Sequence, residues 1–254
     1  SGLIDHVFDV ESGFQSYLKQ KLSPENIGQA FDPEEFVSFV LDRKPLFPAG
    51  TDFHYSDTGY ILAGIIIEKV SGASYYHEIN RRFIKPLGLI HTSALNERDA
   101  AGVAQGYATK GQQLFGFPAK ILHKGSFVFD PSLEWTGGGL ISTSKDLVHW
   151  AKALYGGTVI DVHYLNEMLS SVANPEKGQD DSGRKYGYGL GVSIAKTEYG
   201  TVLRHGGFFP GYNSLLAFYP DHGIAVAMQI NTDDSKIEEH FEAILKIIIK
   251  ATNE

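Results

Sequence analysis

The 254-residue chain reads as an α+β protein in which an antiparallel sheet packs against helices, with a mostly helical region alongside. Three observations predict this. Apolar residues recur at helical spacing through the first part of the chain, the last third changes to β-rich runs separated by turn residues, and a final stretch returns to helical spacing. With 43% hydrophobic residues the chain can bury a substantial core. We read 1–254 as one domain, mostly helical to about residue 180 and strand-rich with a closing helix from about 186 to 254.

The elements follow in order. "DPEEFVSFVLDRKPLFPAG" predicts a short helix closed by Pro45 and Pro48. From Thr58 to Val70 the apolar residues Tyr60, Ile61, Leu62, Ile65, Ile66 and Ile67 cover most of a helical circumference, so this helix is expected to be buried rather than amphipathic, with Gly72 ending it. A second helix is expected from about Ser74 to Lys85, stopped by Pro86 and Gly88. Residues 92–135 carry many glycines and aromatics without a period and read as irregular or hairpin-rich. Then Leu147, Trp150, Ala151 and Leu154 fall at i, i+3, i+4 and i+7, with Ser144 as expected N-cap and Gly156 and Gly157 as terminators. "YGLGVSIAK", "TVLRHGG", "NSLLAFYP" and "GIAVAMQIN" predict an antiparallel meander, its last two strands joined through "PDHG". Ile237, Phe241, Ile244, Leu245 and Ile248 form the apolar stripe of a closing helix that can lie across one face of the sheet.

Composition removes several functions. Net charge is −8, and the 22 Lys and Arg are scattered, so nothing resembles the basic stripe that a phosphate backbone demands and nucleic acid is not an expected partner. The absence of cysteine excludes disulfides, thiolate metal sites and a Cys nucleophile. "ILAGIII" is far shorter than the ~20 residues of a membrane-spanning helix. Phosphate-cradling and H-E-x-x-H motifs are missing, since His77 begins only "HEINR", and the ten histidines lack ligand spacing. No metal or cofactor is expected. The chain begins with Ser1, and both an exported and a cytoplasmic compartment stay open.

The chemistry centres on "FHYSDTGYILAGIII". Taken locally, Ser56 and Asp57 sit where a helix begins, one as a cap and the other as a favourable charge at the positive end of the dipole. Tyr55 reads locally as a half-buried aromatic with one hydroxyl partner. Combined with "WTGGGLISTSKDL" at 135–147 and "LRHGGFFPGYNS" at 203–214, the stretch takes on a different meaning.

In that order and over nearly the whole chain, these words resemble the serine β-lactamase-like family, which includes class C β-lactamases, penicillin-binding DD-peptidases, D-aminopeptidases and related esterases. That family brings together S-x-x-K, Y-x-N and K-T-G or H-x-G. Tyr55-Ser56-Asp57 matches the second element with Asp for Asn, His205-Gly206-Gly207 matches the third, and the opening "SGL" resembles the end of an H-T-S-G-L segment. The resemblance implies a β-lactamase/transpeptidase-like fold and acyl transfer to water through an acyl-enzyme, on an ester, peptide or β-lactam, without metal or cofactor. It implies that Tyr55 relays a proton to the leaving group and that Ser56 is spacer and cap. Asp57 would contact substrate and the family's lysine, His205 would line the site, Gly206 and Gly207 would let the strand approach the acyl group, and the Phe208 N–H would serve in an oxyanion hole. H-x-G in place of K-T-G leans toward peptidase or esterase, because a neutral histidine attracts a carboxylate less than lysine does.

The S-x-x-K spacing occurs at Ser16/Lys19, Ser142/Lys145, Ser182/Lys185 and Ser193/Lys196. None suits a nucleophile: Ser193 lies in an expected strand, where i and i+3 face opposite ways, Ser182 sits in a polar loop, Ser16 in a hydrophilic stretch, and Ser142 reads as part of a helix cap. By resemblance the nucleophile belongs upstream of Tyr55, on an N-terminal segment before Ser1, which becomes an expected partner beside the small-molecule or peptide substrate. Without that segment the chain is expected to be inactive and to leave a sheet edge open. The alternative is a non-catalytic binding protein that retains the cleft.

Overall fold

A computed structural model describes residues 2–8, 13–109, 115–173, 186–234 and 236–252. The chain divides into two compact units, Ser1–Ser142 and Thr143–Glu254, each with its own core.

The first unit carries helices α1 (Phe14–Lys21), α2 (Pro33–Ser38), α3 (Asp57–Ser71) and α4 (Tyr75–Ile79), the last running directly into a π-helical turn at Asn80–Ile84. Short strands β1 (Ser93–Ala94), β2 (Leu122–His123), β3 (Ser126–Phe127) and β4 (Leu140–Ile141) form two antiparallel pairs, β1 with β4 and β2 with β3. The region expected to be hairpin-rich is therefore pinned by minimal ladders. Phe14, Phe31 and Phe36 are buried and form an aromatic cluster. His6 is buried against it, stacked on Phe36 at 5.1 Å and edge-on to Phe14 at 4.9 Å. Burial lowers the His6 pKa to about 4, so the ring is neutral, and its Nδ1 lies 3.0 Å from the Thr58 hydroxyl, which also accepts from the His6 backbone N–H. Residues 5–8 are thereby fastened to the first turn of α3.

α3 departs from expectation. Its limits agree with the sequence, but only Thr58, Ile61 and Gly64 are buried, while Ile66 and Val70 stand 61% and 82% exposed. Apolar residues all round a helix permit full burial but do not supply the covering surface, and only one stripe of α3 is covered here. That stripe meets a 3₁₀ turn at Trp135–Gly137. A Cβ on Gly64 would lie 2.3 Å from Thr136 Cγ2 and 2.8 Å from the Trp135 ring, so the close approach requires glycine.

The second unit contains α5 (Ser144–Tyr155), α6 (Val162–Leu169), β5 (Val172–Ala173), β6 (Tyr186–Tyr188), β7 (Ser193–Thr197), β8 (Gly200–Phe209), β9 (Tyr212–Tyr219), β10 (Ile224–Ile230) and α7 (Ile237–Thr252). The six strands form one antiparallel sheet in the order β10-β9-β8-β7-β6-β5, a meander in which each strand pairs with its sequence neighbour. Alternation sorts the side chains. Val202, Leu215, Ala217 and Val226 pack with Phe241, Leu245 and Ile249 of α7, and Leu203, Phe218 and Val192 pack with Ala151 of α5 and Met168 of α6. The sheet is thus covered by α7 on one face and by α5 and α6 on the other. The stripe of α7 runs through Ile249; Ile244, which the sequence assigns to it, is 42% exposed. The N-cap of α5 is Thr143, whose hydroxyl accepts from the Asp146 N–H, rather than Ser144. Among the described residues no strand pairs with the outer side of β10.

Candidate active site

Each unit contributes part of the predicted set. In the first, Ser56 is the N-cap of α3: its hydroxyl accepts from Gly59 N–H at 3.3 Å and lies 3.4 Å from the Ile4 carbonyl. The Ser56 hydroxyl is thus engaged as a helix cap, as expected from the sequence. Tyr55 is half-buried, its ring against Phe8 at 6.4 Å, and its hydroxyl hydrogen-bonds the Asp57 carboxylate.

Asp57 is part of a group of three acids. Asp5 is fully buried; its Oδ1 accepts from Val7 and Phe8 N–H at 2.7 and 2.8 Å, and its Oδ2 accepts from the Asp57 N–H at 2.5 Å. The third acid is Glu134, just before the Trp135–Gly137 turn. A Cβ on Gly137 would stand 3.7 Å from Glu134 Oε2 and 3.9 Å from Asp57 Oδ1, so both carboxylates flank this glycine. Burial first, then the charge of Asp5, push the Asp57 carboxyl up to about 7 against the opposing Tyr55 hydrogen bond. Glu134, partly exposed as a residue but desolvated at its carboxyl, is pushed up to about 8 by burial and by Asp57 and Asp5. No lysine or arginine pairs with any of the three among the described residues. The arrangement holds protons that ordinary carboxylates release, and it favours any cation brought to it. It does not form a metal-ligand cluster among the described residues. Trp135, at φ 36°, is one of three non-glycine residues in the left-handed region among the described residues, a costly backbone at the edge of this group.

In the second unit, His205, Gly206, Gly207 and Phe208 lie consecutively on β8. Gly207 faces Ser214, where a Cβ would meet Ser214 Oγ at 2.2 Å. The pairing phase of β8 fixes where its amides point. With Phe209 opposite Tyr212 across a two-residue turn, the hydrogen-bonded pairs alternate through Gly207/Ser214 and His205/Leu216, which turns the N–H and C=O of Gly206 and Phe208 away from β9. They point to the β7 side, and β7 begins only at Ser193, opposite Arg204. No strand of the sheet lies in front of the Phe208 amide among the described residues, as an oxyanion donor requires. The His205 ring is held at both nitrogens: Nδ1 is 2.6 Å from the Gly206 carbonyl and Nε2 is 2.8 Å from the Tyr188 hydroxyl.

The serines of the four S-x-x-K spacings do not acquire a catalytic setting. Ser16 and Lys19 are exposed on α1, Ser193 is buried while Lys196 is exposed, and the Ser142 hydroxyl is engaged by Thr92 at 2.8 Å. Ser182/Lys185 lies outside the described residues.

Sequence reasoning did not find Asp5, Glu134 or Tyr188. Asp5 and Glu134 are single acids in irregular segments, joined to Asp57 only by tertiary contact. Tyr188 stood in a run read simply as a strand.

A helical unit with a Tyr-x-Asp helix start and an α-covered meander bearing His-Gly-Gly on an exposed strand segment define a β-lactamase/transpeptidase-like fold. Comparison agrees: the Beta-lactamase family profile matches residues 4–247, and the chain belongs to that family. It is 26% identical over 257 residues to penicillin-binding protein 4* of Bacillus subtilis (strain 168), covering 96% of this chain and 54% of that protein. A D-stereospecific amidohydrolase from Streptomyces sp. superposes with a TM-score of 0.74 at 30% identity, over 92% of this chain and 65% of that one. A penicillin-binding protein from Bacillus halodurans shares the fold, with a TM-score of 0.72 at 21% identity, over 97% and 71% of the two chains. The chain thus spans about half the length of the Bacillus subtilis relative.

Proposed function

We propose that the protein acts as a serine hydrolase through an acyl-enzyme, with an ester or a peptide-type amide as substrate and a β-lactam as a poorer one. The observation that carries this reading is the group of three acids, Asp5, Asp57 and Glu134, gathered at the start of α3 next to Tyr55 without a basic partner among the described residues. Such a group stabilises an ammonium, and the family's lysine is one. In this reading Tyr55 passes a proton from nucleophile to leaving group, and the Phe208 N–H receives the oxyanion. His205, in place of a lysine, puts no permanent positive charge at this strand edge, which supports uncharged rather than carboxylate-bearing acyl groups. The 30% identity to an amidohydrolase supports the amide.

The nucleophile is assigned to a serine outside residues 1–254. Incubating the 254-residue chain with a fluorophosphonate or a fluorescent penicillin is expected to label nothing. Adding the segment encoded upstream, in cis or in trans, should give labelling on a serine of that segment, with lysine three residues on. Labelling of the isolated chain at Ser142 or Ser56 refutes the assignment. An upstream sequence without a serine that labels turns the reading to a binding protein that keeps the site.

A further inference from the structure

Two adjacent exposed glycines are a poor foundation for an oxyanion donor. Gly206 and Gly207 have wide backbone freedom, and the amide that follows them has to be held in place before charge develops on the substrate. Pairing with β9 fixes Gly207 on one side through Ser214. On the other side the Gly206 carbonyl faces the gap beyond the start of β7, where no strand reaches it among the described residues.

We propose that Tyr188 is the positioning residue that closes this gap, by holding His205 so that its ring tethers the Gly206 carbonyl. A carbonyl oxygen only accepts, so the 2.6 Å contact places the proton on His205 Nδ1. In the neutral ring Nε2 is then an acceptor, and the Tyr188 hydroxyl, 2.8 Å away, donates to it. The two rings meet near-perpendicularly, at 70° and 6.1 Å between centroids, so Tyr188 also limits ring rotation from the side. Tyr188 stands on β6, paired with β7 at Ser193, and so brings a fixed anchor to the glycine segment from two strands away. The sequence Tyr188 O–H to His205 to Gly206 C=O orients the peptide just before the Phe208 amide. The functional part of this proposal rests on the reading of Phe208 as oxyanion donor.

The test is Tyr188→Phe in the full-length protein, with Tyr164→Phe, a 61% exposed tyrosine of α6, as control. Nitrogen-15 spectra of the His205 imidazole should show a protonated Nδ1 and a bare, hydrogen-bonded Nε2, and the Nε2 signal should move to that of a free imine nitrogen in Tyr188→Phe alone. Amide exchange at Gly207 and Phe208 should accelerate roughly 3- to 10-fold, the weight of one hydrogen bond. Turnover of a neutral aryl ester should fall by a similar factor in kcat with KM unchanged. A bare Nδ1 in the unmutated protein overturns the proposal even where Tyr188→Phe fails to fold, as does unchanged exchange at both amides in a folded variant. Altered spectra and exchange with unchanged kcat sink instead the oxyanion reading of Phe208, while Tyr188 keeps its structural tether.

Discussion

Replacing Asp57 by asparagine in the 254-residue chain should make it more stable in mildly alkaline solution and leave it unchanged in acid. In the folded chain the Asp57 carboxyl is raised from 3.8 to about 7, chiefly by burial and then by Asp5. A raised carboxyl keeps its proton when folded and loses it when unfolded. Its stabilising effect is therefore complete below about pH 3.8, declines as pH rises, and is gone above about 7. A difference of about three units at 1.36 kcal/mol each is on the order of 4 kcal/mol. Asparagine has the same shape, can still accept from the Tyr55 hydroxyl, keeps the backbone N–H that donates to Asp5, and has no charge to bury. It also removes the second-largest cause of the raised Glu134 carboxyl, whose own decline extends to about pH 8. Urea unfolding followed by circular dichroism should give coincident curves for the two chains near pH 4. Near pH 8.5 the midpoint of Asp57→Asn should be higher by roughly 1 M or more, given slopes of ~1–3 kcal/mol per molar urea. Parallel pH dependences, or a less stable variant at high pH, would refute the buried-acid account of this site.

Tyr55→Phe in the complete protein should lower ester turnover by ~10²- to 10⁴-fold with the fold intact, since only a proton-transferring hydroxyl is lost; near-normal kcat in a folded variant removes Tyr55 from the mechanism. The same substitution deletes the one contact that pulls the Asp57 carboxyl down, so the pH window of the stability decline should extend upward, as unfolding at several pH values will show. Gly64→Ala should cost ~1–3 kcal/mol by overpacking against Thr136 and Trp135, read as a lower urea midpoint with an unchanged slope.

Much of the fold was legible because its signals are local. The apolar spacing at Leu147, Trp150, Ala151 and Leu154 is enough to define α5, and the turn residues of "PDHG" define the β9–β10 hairpin, since both depend on neighbours in sequence. α1, "FQSYLKQK", gave no such signal because only Phe14 and Leu18 of it are buried. The extent of α3 followed from its composition, but not its exposed side, because which stripe is covered depends on where Trp135 and Thr136 arrive. The candidate site divides in the same way. Tyr55, Asp57 and the His205–Phe208 segment announce themselves as short words. The groups that change their properties do not: Asp5 lies 52 residues from Asp57, and Tyr188 17 from His205.

The meander has a consequence for how the chain is assembled in time. Every pairing from β6 to β10 joins consecutive strands through short turns, so each hairpin closes a small loop at little entropic cost. The first unit is closed by remote contacts: Asp57 to Asp5 and His6 to Thr58 across 52 residues, and the Phe31 N–H to the Ser132 hydroxyl across 101. On the ribosome the amino-terminal half emerges first, yet the Phe31 N–H cannot donate to the Ser132 hydroxyl until residue 132 has been made. The part of the chain that leaves early waits with its acids apart and solvated, and Asp57 acquires its raised affinity for a proton only when those long loops have shut.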